Sequence, residues 1–528
     1  MVDKKAIKKL RSDMGKIKFE EDITTLNQQQ GAGKSTFIRN YCNKHPEENI
    51  AILTKRHNWL KECEKKVDGF CHWYGQKHFC KHPDFNKFDS VGLYGTFICK
   101  TCSKKCNYRE QFNNTFRVGA PTEYLNTEYL FPRSGEDGFD KIFIEEKITE
   151  TTPFWFKADD IVNGSIAIAL NYEFDKDKAE WKDIWEFEAE GSTTKPLLEN
   201  VLWDFSNAVE NKDYEFLEKY INIAAHIKKE VIVNAIKKQD IDILKEVQKF
   251  DINMLKGYLK YGKIYNYNKE VYYEPRIYKA FDMAKAGTKI VLSHAGFDEQ
   301  LFKDLLARYE REFPATDHLT FGIHTSNLEN KDTKCYQITN KGFGRRKLEE
   351  KYVIDFLQKI DKIYKKKNVG VITYKEYTQY DATKKMDTAW GFEAAHFGDT
   401  SGLNKFENKD VLIIIGTYTL SIGEKVRKYN GLYNASLNPS NFPYVDKGKF
   451  PDYIGTELEI IQRVEEENEM IDVIHRNRGL IHDRRIYVLG IVPERIKKEL
   501  AFELIKTKDV PTFLFNLKRK KRYSHSKI

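Results

Sequence analysis

No stretch of this 528-residue chain approaches the ~20 consecutive apolar residues that a membrane-spanning helix needs, so a helical membrane protein is excluded first. The basic N-terminus, Met1 to Lys16, lacks an apolar core and does not read as a secretory signal. An intracellular, cytoplasmic protein is therefore expected, with no membrane partner. Proline is scarce, 13 residues in all, and none falls between Glu199 and Tyr273. Nothing there interrupts helix formation. Cysteine is equally sparse, at eight residues, and in a reducing compartment these do not form a disulfide framework. No short-period repeat is present, which excludes a solenoid. The composition, 41% hydrophobic and 32% charged, excludes a disordered chain and fits a globular one.

What is present begins with size. At ~150 residues per domain the chain holds three or four units, with two as the floor. The net charge of +9 is mild for this length and is compatible with a protein that follows a phosphate backbone. The run Lys518-Arg519-Lys520-Lys521-Arg522 concentrates that charge and reads equally as a solvated end or as a nucleic-acid contact. Aromatic residues make up 13%. Trp73, Tyr74, Phe154 and Trp155 are candidates for stacking on bases, although each also fits a core position.

Along the chain, short apolar runs alternate with helical stretches. Ile23 to Leu26 reads as a strand, Phe37 to Cys42 as a helix, and Asn49 to Thr54 and Lys141 to Ile144 as further strands. Pro196 to Leu259 reads as mostly helical, with Leu217, Tyr220, Ile221, Ala224 and Ile227 at helical spacing. Strands follow at Lys289 to Leu292, Val369 to Thr373, Val411 to Ile415 and Arg485 to Gly490, with a polar joint at Asn330 to Thr333. Alternation of this kind predicts parallel sheets in two α/β halves, the first carrying insertions.

Two segments carry chemistry. Gly31-Ala32-Gly33-Lys34-Ser35-Thr36 lies between a strand and a helix. Glycines there let backbone N–H groups turn inward around phosphates, Lys34 supplies a point charge, and Ser35 offers a hydroxyl to Mg²⁺. The full G-x-x-x-x-G-K-S/T pattern has glycine where this chain has Gln28. Phe139-Asp140-Lys141-Ile142-Phe143-Ile144-Glu145-Glu146 is an apolar strand ending in two acids. An ATPase needs one carboxylate to hold hydrated Mg²⁺, here Glu145, and one to orient the attacking water, here Glu146. Aspartate is usual in the first role, so the longer Glu145 predicts slow hydrolysis. Among the cysteines, Cys99-Lys100-Thr101-Cys102, then Cys106, with Cys80 upstream, place four soft ligands at short spacing. Cys71, His72, His78 and His82 could substitute, which keeps zinc open. Cys42, Cys63 and Cys335 read as ordinary buried residues.

Taken in order, these segments resemble superfamily 2 helicases. Lys289 to Gly296 resembles the motif that couples hydrolysis to strand movement, with His294 and Gly296 as departures. Gly370 to Tyr374 looks like the strand opening a second motor domain. His396 to Asn404 with Ile413 to Thr417 resembles motif V. Asp472-Val473-Ile474-His475-Arg476-Asn477-Arg478-Gly479 resembles motif VI, with Asp472 where most members carry Gln and His475 where many carry Gly. The cysteine cluster, the run Cys106 to Phe112 and the long insertion between Glu146 and Ser293 resemble the XPD-like iron–sulfur helicases. The low-Ala, Lys-, Asn-, Ile- and Tyr-rich composition, with these diverged motifs, is similar to what a helicase of a rod-shaped archaeal virus would carry.

The resemblance implies two RecA-like motor domains, parallel sheets flanked by helices, with a cysteine-rich metal insertion and a helical arch-like insertion in the first. It divides the chain into residues 1–62, 116–150 and 286–330 for the first motor domain, 63–115 for the metal insertion, 151–285 for the arch-like insertion, and 331–528 for the second motor domain with its basic tail. It implies ATP and Mg²⁺ at Gly31, Gly33, Lys34, Ser35 and Thr36. Glu145, Glu146 and the arginines Arg476 and Arg478 become catalytic, and a 4Fe–4S cluster falls on Cys80, Cys99, Cys102 and Cys106. Single-stranded or forked DNA is the implied partner, with movement 5′ to 3′ and replication or repair proteins as companions. The alternative is a weakened motor that binds or anneals strands. An absorption spectrum of anaerobically purified protein checks the metal: an iron–sulfur cluster gives a visible charge-transfer band, and zinc gives none.

Overall fold

The computed structural model describes residues 4–28, 33–54, 57–80, 107–108, 110–113, 116–126, 130, 138–145, 151–156, 158–171, 204–208, 211, 213–238, 240–251, 255, 270–275, 277–293, 297–314, 317–326, 332–338, 348–384, 386–398, 405–433, 435, 437–442, 453–476, 482–493, 495–498, 500 and 503–508. They form two α/β units and a helical insertion.

The first unit is built on seven strands: β1 (Ile23–Gln28), β2 (Ile50–Leu53), β3 (Cys71–His72), β4 (Arg117–Ala120), β5 (Lys141–Ile144), β8 (Lys289–Leu292) and β9 (Phe321–Ser326). Their order is β3-β4-β2-β5-β8-β1-β9, and every neighbouring pair is parallel. Parallel strands are joined by crossovers that cover both faces, so their sequences are apolar throughout rather than alternating. Ile-Ala-Ile-Leu in β2 and Lys-Ile-Phe-Ile in β5 are buried at every position. One face packs on the helices Ile277–Lys285 and Glu299–Glu312 through Phe281, Phe302 and Tyr309. The other packs on Lys34–Lys44 and His57–Lys66 through Ile38, Cys42, Leu60 and Cys63. Residue 63 therefore lies inside a helix of this unit, and the helix Ile277–Lys285 also belongs to its core.

Trp73 is fully buried against Phe112, Tyr124 and Phe139. It is a core residue, one of the two places that its sequence context allows. The indole is too large an apolar body to leave in water when a pocket at the sheet edge receives it. Cys42, Cys63 and Cys335 are buried, as expected.

Between β5 and β8 the chain leaves and returns through an antiparallel ribbon, β6 (Thr151–Phe156) with β7 (Glu270–Pro275). Beyond the ribbon lie the helices Ala158–Asn171, Tyr214–Lys238 and Ile241–Lys249. Leu217, Ile221, Ala224 and Ile227 are all buried, so the helical spacing read from the sequence marks a true inner face. Gly164 permits close approach there, since a Cβ would stand 2.5 Å from the Phe250 backbone nitrogen.

The second unit is an eight-stranded sheet in the order β12-β13-β14-β11-β15-β16-β10-β17. Its strands are β10 (Lys334–Ile338), β11 (Val369–Thr373), β12 (Gln379–Asp381), β13 (Met386–Ala389), β14 (Phe392–His396), β15 (Val411–Ile415), β16 (Arg485–Leu489) and β17 (Glu503–Thr507). Five neighbouring pairs are parallel, and β12, β13 and β14 form an antiparallel edge. Val369 to Thr373 and Val411 to Ile415 are buried throughout.

The units meet through the helix Glu299–Glu312 of the first and the helix Ile422–Tyr433 of the second. Arg308, 5% exposed, donates to the carbonyls of Gly431 and Leu432, each at 2.6 Å, and Tyr433 donates to Asp304 at 2.7 Å. Arg308→Met removes the donor from two buried carbonyls, at a cost of about 1–3 kcal/mol. A thermal scan should show a lowered midpoint, and an unchanged one would mean that water serves those carbonyls as well.

Candidate nucleotide site

In an all-parallel sheet every strand points the same way, so the loops that follow the strands gather on one edge. In the first unit that edge receives the turn after β1, Glu145 after β5 and Ser293 after β8. Gln28 is the last residue of β1, pairs with Ser326 of β9 and is buried. The position that is glycine in the full phosphate-loop pattern is thus a strand residue here. Residues 29–32, with Gly31, lie outside the described residues. Gly33 closes the turn at φ +103°, a conformation open to glycine and strained for other residues. The helix Lys34–Lys44 starts at once, with Phe37 N donating to Gly33 O at 2.9 Å. Its first N–H groups and its positive end face the turn. Lys34 is half-buried and its Nζ donates to the Gln28 carbonyl. Ser35 is half-buried and Thr36 exposed, with Arg39 Nη2 3.5 Å from the Thr36 hydroxyl.

Glu145 is half-buried at the end of β5, its backbone N–H held by Leu53 O at 2.9 Å. Glu146 lies outside the described residues. Ser293 takes up the next position along the edge, its N–H donating to Ile144 O at 2.8 Å. Its hydroxyl is buried and has no hydrogen-bond partner among the described residues. A buried hydroxyl left unpaired is costly, so an orphan between the glycine turn and the acid marks an edge equipped for a polar guest. The donor set (a glycine turn at a helix start, one amine, one hydroxyl, one carboxylate) fits a nucleoside triphosphate with Mg²⁺.

The second unit presents its own carboxyl edge. Gly416, at φ +108°, follows β15, and a Cβ there would stand 2.5 Å from the Tyr374 ring. A Cβ on Gly490, after β16, would stand 2.4 Å from Gly416 O. Thr417 N donates to the Tyr374 hydroxyl at 3.1 Å, and Ile491 N donates to the Thr417 hydroxyl at 2.7 Å. Three strand ends are thereby tied into one surface. Sequence reasoning had placed Thr417 in motif V, but not the role of Tyr374 in holding it.

Arg476 follows a continuous helical stretch made of Glu459–Ile461, a π-helical turn Gln462–Glu467 and Asn468–Ile474. Arg476 is 8% exposed, with Nη2 3.7 Å from Asp472 Oδ2. Burial pulls the neighbouring His475 down to about 4, so its ring is neutral near pH 7. Arg478 lies outside the described residues. Within the π turn, Glu466 is fully buried with Lys425, 2.9 Å away. Burial pushes its carboxyl up to about 7, against the pull of Lys425 and the Leu420 amide. The pair ties the segment after β15 to the π turn, and π turns recur at functional positions. Arg463, also in that turn, contacts Asp298 of the first unit through Nε and through Nη2 at 3.1 Å. Asp298 caps the helix Glu299–Glu312, accepting from Leu301 N at 2.9 Å. The stretch that leads to Arg476 thus reaches the segment just after Ser293. Nothing in the sequence marks this contact, because its partners are 165 residues apart.

Of the four cluster cysteines, Cys80 is half-buried after the short helix Gln76–Phe79, with its N–H donating to Gln76 O at 2.9 Å. Cys99, Cys102 and Cys106 lie outside the described residues, as do His82, His294 and Gly296. In the segment before Cys80, His72 Nε2 is 3.1 Å from His57 Nδ1, and Tyr74 stacks on His78 at 4.2 Å. Among the described residues one trio of donors clusters closely enough for a metal: His45, Glu47 and Glu48. It sits at the opposite edge of the sheet, and Glu48 is already held by Lys141 at 2.9 Å. No described helix is long and apolar enough to cross a membrane.

These two mostly parallel sheets, each flanked by helices, are two RecA-like units, a fold shared with solved XPD structures. Among solved structures, that of S. tokodaii Xpd4 matches 95% of this chain and 99% of its own, at TM-score 0.50 and 12% identity. A structure described as "XPD_APO" matches 96% of this chain and 100% of its own, at TM-score 0.48 and 11% identity. No family model and no curated protein matches the chain.

Gly33→Ala forces a left-handed conformation on a residue with a Cβ and pushes that atom against Arg11, 3.0 Å away. Binding of a fluorescent ATP analogue should fall by at least about tenfold while thermal stability stays close to that of the wild type. Unchanged binding would remove Gly33 from the site.

Proposed function

We propose that this chain is an ATP-driven nucleic-acid motor, a helicase or translocase that acts on DNA. The observation that carries the reading is the left-handed Gly33 with Lys34 at a helix start, on the same sheet edge as Glu145. Lys34 exchanges its contact with the Gln28 carbonyl for the β and γ phosphates, and Ser35 turns its hydroxyl to Mg²⁺. Glu145 holds a water of the metal shell, and Glu146 orients the attacking water. Arg476 and Arg478 meet the developing negative charge when the second unit closes on the first. Hydrolysis then depends on closure, and closure moves a strand bound across both units.

The family resemblance adds a 4Fe–4S cluster on Cys80, Cys99, Cys102 and Cys106, with zinc as the alternative, and 5′ to 3′ movement. By the same resemblance the two insertions form a hole or wedge that grips one strand of single-stranded or forked DNA. A second reading, a weakened motor that serves as a strand-binding or annealing module, is favoured by Glu145 in the usual aspartate position and by the extension of β1 through Gln28.

ATP hydrolysis with and without single-stranded DNA decides between them, using wild type, Lys34→Ala and Glu146→Gln. A motor shows DNA-stimulated hydrolysis that both variants lose by about 100-fold or more. Tight DNA binding without hydrolysis in the wild type establishes the binding module instead.

A further inference from the structure

The helix Lys4–Met14 precedes the first strand and has no role in the site described so far. Leu10, 9% exposed, and Met14, 2% exposed, fix it to the body of the first unit. Lys8, Lys9 and Arg11 are exposed. The Arg11 side chain lies against Gly33, the last residue of the glycine turn. Its Nε is 3.0 Å, its Cγ 3.6 Å and its Cδ 3.7 Å from the place a Cβ would take on Gly33. The neighbouring residue, Lys34, is the cation of the loop, and its Nζ is turned back onto Gln28.

β1 runs through Gln28 and the helix starts at Lys34, so Arg11 and Lys34 are two cations at one turn, that of Gly33. A polyphosphate carries several negative charges, more than one lysine meets. A guanidinium is suited to that, because it is planar, always charged and able to grip two phosphate oxygens at once.

We propose that Arg11 is a second phosphate-binding cation of the nucleotide site, supplied by the N-terminal helix and acting beside Lys34 on the polyphosphate chain. This rests on the phosphate-loop reading and goes beyond it. It makes nucleotide affinity depend on a helix outside the loop, and it assigns the close fit of Arg11 on Gly33 to ligand binding. Gly33 has two duties in consequence: it takes the left-handed turn, and it leaves room for the arginine.

The test is titration of wild type, Arg11→Ala, Arg11→Lys and Lys34→Ala with fluorescent ATP and ADP analogues, alongside single-stranded DNA binding by anisotropy without nucleotide. Arg11→Ala should weaken both nucleotides by about tenfold, the factor one charge-assisted contact carries. Arg11→Lys should recover most of the loss, DNA affinity should not change, and KM for ATP should rise with little change in kcat. Arg11 is on the surface, so its replacement leaves the core intact. Nucleotide affinity within twofold of wild type in Arg11→Ala, with Lys34→Ala defective, overturns the proposal and leaves the loop assignment standing. Loss of DNA binding with nucleotide affinity intact also overturns it, making the helix a strand contact. Normal nucleotide binding in Lys34→Ala overturns the loop assignment and this proposal together.

Discussion

Parallel pairing of β5 with β2 and β8 is the constraint from which the rest of the molecule follows. Strands that run the same way cannot be joined by tight turns. Each must be followed by a crossover, and these crossovers bury both sheet faces. Burial on both faces requires apolar strands, and it leaves the strand ends as the places where polar residues gather. Gly33, Glu145 and Ser293 share one edge for that reason, although 260 residues separate the first from the last. The second sheet obeys the same rule, and Tyr374, Thr417 and the turn at Gly490 collect at its corresponding edge.

Much of this was legible in the sequence wherever a strand is buried on both sides. Lys141–Ile144, Lys289–Leu292, Val369–Thr373 and Val411–Ile415 have the bounds expected from their apolar runs. The glycine turn and the helix after it were legible because the φ of Gly33 has few other residues to serve it. Short or half-exposed strands were not legible. β3 has two residues, and β12 is exposed at Gln379 and Tyr380, so neither has a periodic signature. The antiparallel edge of the second sheet was missed for that reason. Contacts between distant segments were also illegible. Arg463 with Asp298, Arg308 with the Gly431 carbonyl and Lys425 with Glu466 depend on where helices land, which no local pattern encodes. Trp73 is legible in the sequence only as a choice between a core and a stacking position, and the pocket at the sheet edge decides for the core.

The contact between units is polar where it needs to be directional and apolar beneath. Leu432, Ile461 and Val464 of the second unit join the same cluster as Phe302 and Leu305 of the first, and Arg308 and Arg463 fix the angle at its rim. The apolar layer resists separation, and the π turn that carries Arg463 and Glu466 joins that rim to the stretch leading to Arg476.

The ribbon of β6 and β7 has a mechanical consequence. Thr151 pairs with Pro275 and Phe156 with Glu270, so the helical lobe enters and leaves through one narrow stem whose strands run in opposite directions. Entry and exit of the lobe are held side by side, so the insertion is attached at a single place and leaves the pairing of β5 with β8 undisturbed.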